Sequence, residues 1–186
     1  TTIAFEYLEN EDGFLPFVHQ MSQIAGVTSI TIASEYLSNS RNGKGVLFGE
    51  VTGVTPAELV IIGTSTAAEY AARAALGLGI FVKVFDTSVY ELSKLEEKLG
   101  RRIFTSVFYP KVLRKALVSA DAVIGAVLIP GAAAPKLVTR EMLSGMKKGS
   151  VLCDVAIDQG GCFETSKATT HSDPTYVVDD VIHYCV

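Results

Sequence analysis

From Leu15 to Leu37, apolar residues recur every three or four positions (Phe17, Met21, Ile24, Val27, Ile30, Ala33, Leu37), the spacing of one helix face. The Asn and Gly residues of Ser38–Gly45 end that run, so the pattern predicts a long helix over Leu15–Leu37, bent at Gly26. Gly49–Thr55 is a turn-rich link. Beyond it, short continuous apolar runs alternate with helical ones in the order of stacked strand–helix–strand units. The runs Leu59–Gly63, Phe81–Phe85, Ile103–Val107, Ala122–Ala126 and Ser150–Val155 predict strands. Between them, Thr66–Leu78, Val89–Leu99, Pro110–Ser119 and Thr139–Met146 predict helices. Leu59-Val60-Ile61-Ile62 has no polar alternation, the mark of a strand covered on both faces as in parallel sheets. Two last runs, Tyr176–Val178 and Val181–Tyr184, predict a further strand or a hairpin through Asp179-Asp180. The fold class is α/β, a Rossmann-type doubly wound parallel sheet preceded by a long helix, with residues 1–45 as an N-terminal segment and 46–186 as the sheet domain.

Bulk properties narrow the range of functions. With 48% hydrophobic residues over 186 positions the chain fills a core of its own. A net charge of −4, with Lys and Arg scattered, offers no footprint for nucleic acid or an anionic membrane. Small-molecule chemistry is the expectation. The longest apolar stretch, Ala122–Pro135, is broken by Gly125, Pro130, Gly131 and Pro135, and is too short to span a bilayer. Thr1–Gly13 has neither the basic region nor the apolar core of a secretory leader, and the lack of a starting Met suggests a cut chain. Cys153, Cys162 and Cys185 are odd in number and without CxxC spacing, which points to buried reduced thiols in a cytoplasmic protein. His19, His171 and His183 show no ligand spacing, so no metal site is assigned.

The turn after the first strand carries the first candidate chemistry. A dinucleotide fingerprint would be G-x-G-x-x-G/A; residues 63–68 are Gly63-Thr64-Ser65-Thr66-Ala67-Ala68. Gly63 fits the first position and Ala68 the third, but Ser65 stands at the second, where the pyrophosphate should meet bare backbone. The loop is then either a phosphate cradle, with the hydroxyls of Thr64, Ser65 and Thr66 as added donors, or an ordinary Ser/Thr helix cap. If Ser65 is held at positive φ, glycine there should tighten dinucleotide binding. Asp86 ends the second strand 23 positions after Gly63, near the roughly 20 expected of a carboxylate that takes the ribose hydroxyls. It favours NAD over NADP by repelling a 2′-phosphate. The alternatives are a helix-capping Asp, or the same acid in a nucleoside-binding methyltransferase.

In strand order 3-2-1-4-5 the crevice opens between the first and fourth strands. Val127-Leu128-Ile129-Pro130-Gly131 is placed to roof it, though these residues would also serve as core. Asp158 follows the fifth strand on the same rim. It suits a turn before Gly160-Gly161, and equally an ionisable group beside a reacting centre.

Five strings together resemble the alanine dehydrogenase family, which includes the NAD-binding component of transhydrogenase: Asp154–Ser166 (DVAIDQGGCFETS), Ala126–Thr139 (AVLIPGAAAPKLVT), Thr169–His171 (TTH), His183–Val186 (HYCV) and Met21–Gly26 (MSQIAG). The likeness covers nearly the whole chain. It implies NAD as cofactor and, in a full enzyme, the oxidation of L-alanine to pyruvate and ammonia. By resemblance Asp158 is the catalytic aspartate. Val127, Leu128 and Val155 line the cofactor, and Ser22 meets its phosphate, beside Gly63, Ser65, Ala68 and Asp86 at the fingerprint. In that family the substrate pocket depends on a preceding segment with a catalytic histidine, and on a further segment after HYCV. The 186 residues therefore correspond to the cofactor domain with its connecting helix, expected to be inactive alone. The long helix would pack on a partner subunit or on a neighbouring domain. Rival readings are a transhydrogenase component and a Rossmann domain that has lost its ligand, which Ser65 would support.

Overall fold

A computed structural model describes residues 7–129 and 132–186. Helix α1 (Pro16–Leu37) is followed by β1 (Glu58–Ile62), α2 (Thr66–Gly77), β2 (Phe81–Asp86), α3 (Val89–Leu99), β3 (Phe104–Val107), α4 (Pro110–Ser119) and β4 (Ala122–Gly125). Then come a one-turn α5 (Arg140–Leu143), β5 (Val151–Asp154), β6 (Thr175–Val178) and β7 (Val181–Tyr184). Among the described residues the strands form one seven-stranded sheet, in the order β3-β2-β1-β4-β5-β7-β6. All neighbours are parallel except the β6–β7 pair at the edge. The expected 3-2-1-4-5 order is thus present and extended by a hairpin whose second strand pairs with β5. The hairpin turn is Asp179-Asp180, both at positive φ (50° and 63°), as a two-residue turn matched to strand twist requires.

Successive side chains of a strand point to opposite faces, and both faces here are covered. Leu59 and Ile61 pack with α1, α2 and α3 through Ile30, Ala71 and Leu92. Val60 and Ile62 pack on the other side with Leu113 and Leu117 of α4 and Leu143 of α5. The unbroken apolar run of β1 is the sequence of a strand with no wet side.

The stripe along α1 divides. Ile30, Ala33 and Leu37 are buried, whereas Phe17, Met21, Ile24 and Val27 are exposed. The reason lies at Gly26, where a Cβ would stand 2.3 Å from the carbonyl oxygen of Ala67. The backbones of α1 and α2 meet through this small residue, so the larger apolar side chains are turned outward. Gly26 serves helix–helix contact within an unbroken helix.

At the opposite end of the sheet from the strand C-termini, Asp121 accepts from the backbone N–H of Glu58 at 2.7 Å. It also pairs with Lys44, and with Lys147 at 3.0 Å. One buried carboxylate thereby fastens β1, β4, the approach to β5 and the segment after α1. Among the described residues, no helix is long and apolar enough to cross a membrane.

Candidate functional site

Strands β1 and β4 are neighbours, but their following connections run to opposite faces of the sheet: α2 lies on one and α5 on the other. Such a switch point opens a crevice at the strand C-termini. Here it is a cavity of about 170 Å³ lined by Gly63, Thr64, Ser65, Asp86, Val127 and Leu128 among others. Pro130 and Gly131, placed by the sequence in its roof, lie outside the described residues.

Gly63 has φ 102°, and a Cβ on it would sit 2.5 Å from the carbonyl oxygen of Ala126. The turn therefore needs glycine both for its dihedral and for the close passage of the chain leaving β4. Ser65 is the N-cap of α2, at φ −59° and ψ 171°. Its Oγ accepts from Ala68 N–H at 3.4 Å and donates to Ala126 O at 2.7 Å. The strained conformation considered for Ser65 is absent, and the hydroxyl faces inward as a strap between the two loops. Thr64 Oγ1 donates to Asp86 Oδ2 at 2.7 Å, and Thr66 Oγ1 lies 3.5 Å from His19 Nδ1. All three loop hydroxyls thus have partners within the chain. Ala68 is fully buried in the α2 face that packs on the sheet.

Asp86 lies at the end of β2 on the crevice wall, with Oδ1 accepting from Ser88 N–H at 2.9 Å. Ser88 itself caps α3. On the far wall Val127 is half-buried against the core, while Leu128 is 50% exposed, an apolar surface without a cover among the described residues. His19, Ser22 and Gly26 follow at three- and four-residue intervals on α1. With His19 beside Thr66 and Gly26 against Ala67, the half-buried Ser22 is on the face toward the N-terminal turn of α2.

Val155 belongs to a second cavity of about 210 Å³, between α1 and β5, with Ser29, Cys153, Asp154, His171 and Tyr184. Asp158 lines neither cavity. It is exposed on a 3-10 turn, Ile157–Gln159, beside Gln159, whose Oε1 is buried without a donor among the described residues.

The loop carrying Asp158 is built on Asp154, a residue with no local motif to mark it. Asp154 closes β5, is 2% exposed, and accepts from Ala156 N–H at 3.2 Å, Cys162 N–H at 3.0 Å and the Ser166 hydroxyl. Burial pushes its carboxyl above the usual carboxylate range, against the opposing pull of those donors. The available signal was a carboxylate ending a wholly apolar strand. That loop is also stitched to the one after β4, through Ala134 N–H to Gln159 O, Leu137 N–H to Cys162 O, both 2.8 Å, and Lys136 Nζ to Gly160 O. His183 is buried, with Nε2 2.8 Å from Thr165 Oγ1 and Nδ1 2.9 Å from Val181 O, and burial lowers its pKa below the usual imidazole value. Cys153, Cys162 and Cys185 are buried and unpaired, and burial raises all three thiols. Among the described residues no group of three or more His, Cys, Asp or Glu side chains is arranged to hold a metal ion.

Comparison with known proteins gives a consistent picture. Residues 29–186 match the family described as alanine dehydrogenase/PNT, C-terminal domain. An alanine dehydrogenase of Halomonas elongata is 50% identical over all 186 residues, which cover 50% of that protein. A solved structure of L-alanine dehydrogenase superposes with TM-score 0.92 at 43% identity, over 99% of this chain and 51% of the other. Transhydrogenase from Sinorhizobium meliloti superposes with TM-score 0.74 at 25% identity, over 90% and 48%. The chain spans about half the length of the curated relatives it matches.

Proposed function

The chain belongs to the alanine dehydrogenase/PNT family as its C-terminal domain, and on that premise we propose that it binds NAD in the crevice between β1 and β4 and is the cofactor half of an L-alanine-oxidising enzyme. The observation that carries the proposal is the convergence on one crevice of Gly63, the N-terminus of α2, Asp86 and the apolar pair Val127–Leu128. These are four surfaces suited to the phosphates, the ribose and the nicotinamide ring of one molecule. At about 170 Å³ the cavity is below the roughly 300–1,000 Å³ of ligand pockets, so the described residues enclose part of a dinucleotide and leave the rest open.

Bound NAD would supply the hydride acceptor. The chain's own residues bind, orient and shield. The first turn of α2, with Gly63, Ser65 and Ala68 shaping it and Ser22 facing it from α1, presents backbone N–H groups to phosphate. Asp86 accepts from ribose hydroxyls. Val127 and Leu128 exclude water from the ring, and Val155, which the resemblance assigns to the cofactor, flanks it from the neighbouring cavity between α1 and β5. Asp158, held on its turn by the Asp154 clamp, takes up or returns a proton at its carboxylate. Residues 46–186 form the cofactor domain, and α1 joins it to the amino-acid-binding part of the enzyme. Three buried unpaired thiols favour the cytoplasm.

Titration of the 186-residue chain with NADH, NADPH and S-adenosylmethionine tests the reading. Saturable NADH binding, stronger than for the other two, is the expected result; binding of none of them would refute it. The latter outcome is what a domain with lost cofactor binding predicts, a reading favoured by Ser65 in place of the second glycine.

A further inference from the structure

Gly63 supplies the dihedral of the loop after β1 and Ser65 caps α2, but Thr64 between them does neither. Its side chain crosses instead to the end of the neighbouring strand, where Oγ1 donates to Asp86 Oδ2 at 2.7 Å. The other carboxylate oxygen, Oδ1, is taken by Ser88 N–H at 2.9 Å. Asp86 is thus gripped from two directions, once per oxygen, on the wall of the crevice.

A carboxylate offers about two acceptor directions on each oxygen. With one direction per oxygen occupied by Thr64 and Ser88, one remains on each, and the plane of the group is fixed. Two adjacent acceptors in a fixed plane match a vicinal diol, which brings two adjacent donors. A phosphate monoester in place of one hydroxyl brings between one and two negative charges against the same carboxylate.

We infer that Thr64 is a positioning residue that holds Asp86 in register for a ribose diol and so sets the preference for NAD over NADP. The inference rests on the crevice being a dinucleotide site. Without the Thr64 hydroxyl, Asp86 keeps one donor on one oxygen and regains rotation about its side chain. Ordering it again on binding diminishes the affinity for a ligand that uses both oxygens, and leaves a ligand that avoids them nearly unaffected.

The test is calorimetric titration of the 186-residue chain with NADH and with NADPH, for wild type, Thr64→Val, Thr64→Ser, Asp86→Ala and the double variant, with thermal melts of each. Val keeps the shape of Thr without the donor; Ser keeps the donor. Thr64→Val should weaken NADH by about two- to tenfold, the worth of one hydrogen bond, with NADPH changed by less than about twofold. Thr64→Ser should restore the wild-type ratio. In the Asp86→Ala background Thr64→Val should have no further effect, because its partner is gone. Equal weakening of both nucleotides, an effect that persists without Asp86, or NADH binding unchanged in Thr64→Val each overturns the inference while the dinucleotide site stands. A wild type that binds neither nucleotide removes the site, and the inference with it.

Discussion

The Ser65 hydroxyl donates to the backbone carbonyl of Ala126 at 2.7 Å, joining the loop after β1 to the chain leaving β4 across the mouth of the crevice. The residue that interrupts the glycine fingerprint is therefore a cross-strut between the two halves of the switch point. It also explains why the sequence expectation for glycine at this position fails in its strain argument: φ is −59°, a value any residue adopts.

Ser65→Gly is expected to lower stability by about 1 kcal/mol, through loss of the strut and of the cap. For a chain of this size that is a fall in Tm of roughly 2–4 °C. NADH affinity should stay within about threefold of wild type, there being no strain to release. Thermal melts and titration check both; a gain of tenfold or more would show that the Cβ obstructs the ligand.

Asp154→Ala is expected to cost about 2–4 kcal/mol, because Ala156 N–H, Cys162 N–H and the Ser166 hydroxyl lose a buried acceptor. The loss should be local as well as global. Hydrogen exchange at Ala156 and Cys162 should rise more than exchange within β1, and uniform change would argue against the clamp.

Gly26→Ala should destabilise by roughly 1–3 kcal/mol, the usual cost of forcing a methyl into a filled contact. A Cβ there meets Ala67 O at 2.3 Å and Ala71 N at 3.0 Å, both backbone atoms of α2 that move only with the helix. A denaturant midpoint equal to wild type would show that α1 slides freely on α2.

Acid stability should depend on Asp121. Burial pushes its carboxyl up, but the Lys44 ammonium, Glu58 N–H and Lys147 ammonium outweigh it and hold the group below the ordinary carboxylate range. A depressed folded pKa means stabilisation that is complete above the unfolded value and disappears as pH falls through the folded one. Asp121→Asn should therefore cost about 3 kcal/mol at neutral pH and flatten the acid limb of the stability curve. Parallel curves for variant and wild type below neutrality would contradict this.

The 186-residue chain by itself should not reduce NAD with L-alanine. Asp158 stands exposed outside both cavities, and a solvated carboxylate without a positioned substrate lacks the proximity that supplies most of such a rate. Following NADH absorbance is sufficient; turnover above the no-alanine control would overturn the expectation.

Much of the architecture is legible in the chain because burial on both faces leaves a mark that needs no partner to interpret. Leu59–Ile62 and Ala122–Gly125 are apolar throughout, and the capping Ser88 and the Asp179-Asp180 turn follow local rules. Less legible were features decided by a distant residue. Nothing local to Val181–Tyr184 says that it pairs with β5 rather than lying outside the hairpin's first strand. The helix expected over Thr139–Met146 shortens to Arg140–Leu143, because Thr139 is its N-cap and the chain leaves the helix at Ser144, one residue before Gly145. At the site, the spacing of Gly63 and Asp86 placed them on one crevice, but the inward turn of Ser65 depends on Ala126, 61 positions away. The clamp at Asp154 is not legible locally because its donors come from both the residue two places on and the segment around Cys162–Ser166.

The stitching of the loop after β4 to the loop after β5 has a mechanical consequence. Ala134, Lys136 and Leu137 on one side and Gln159, Gly160 and Cys162 on the other are bonded like rungs, and Val138 continues the ladder to Phe163. Loops so bonded constrain one another: a displacement of residues 134–138 must either break the rungs or carry the turn that bears Asp158 with it.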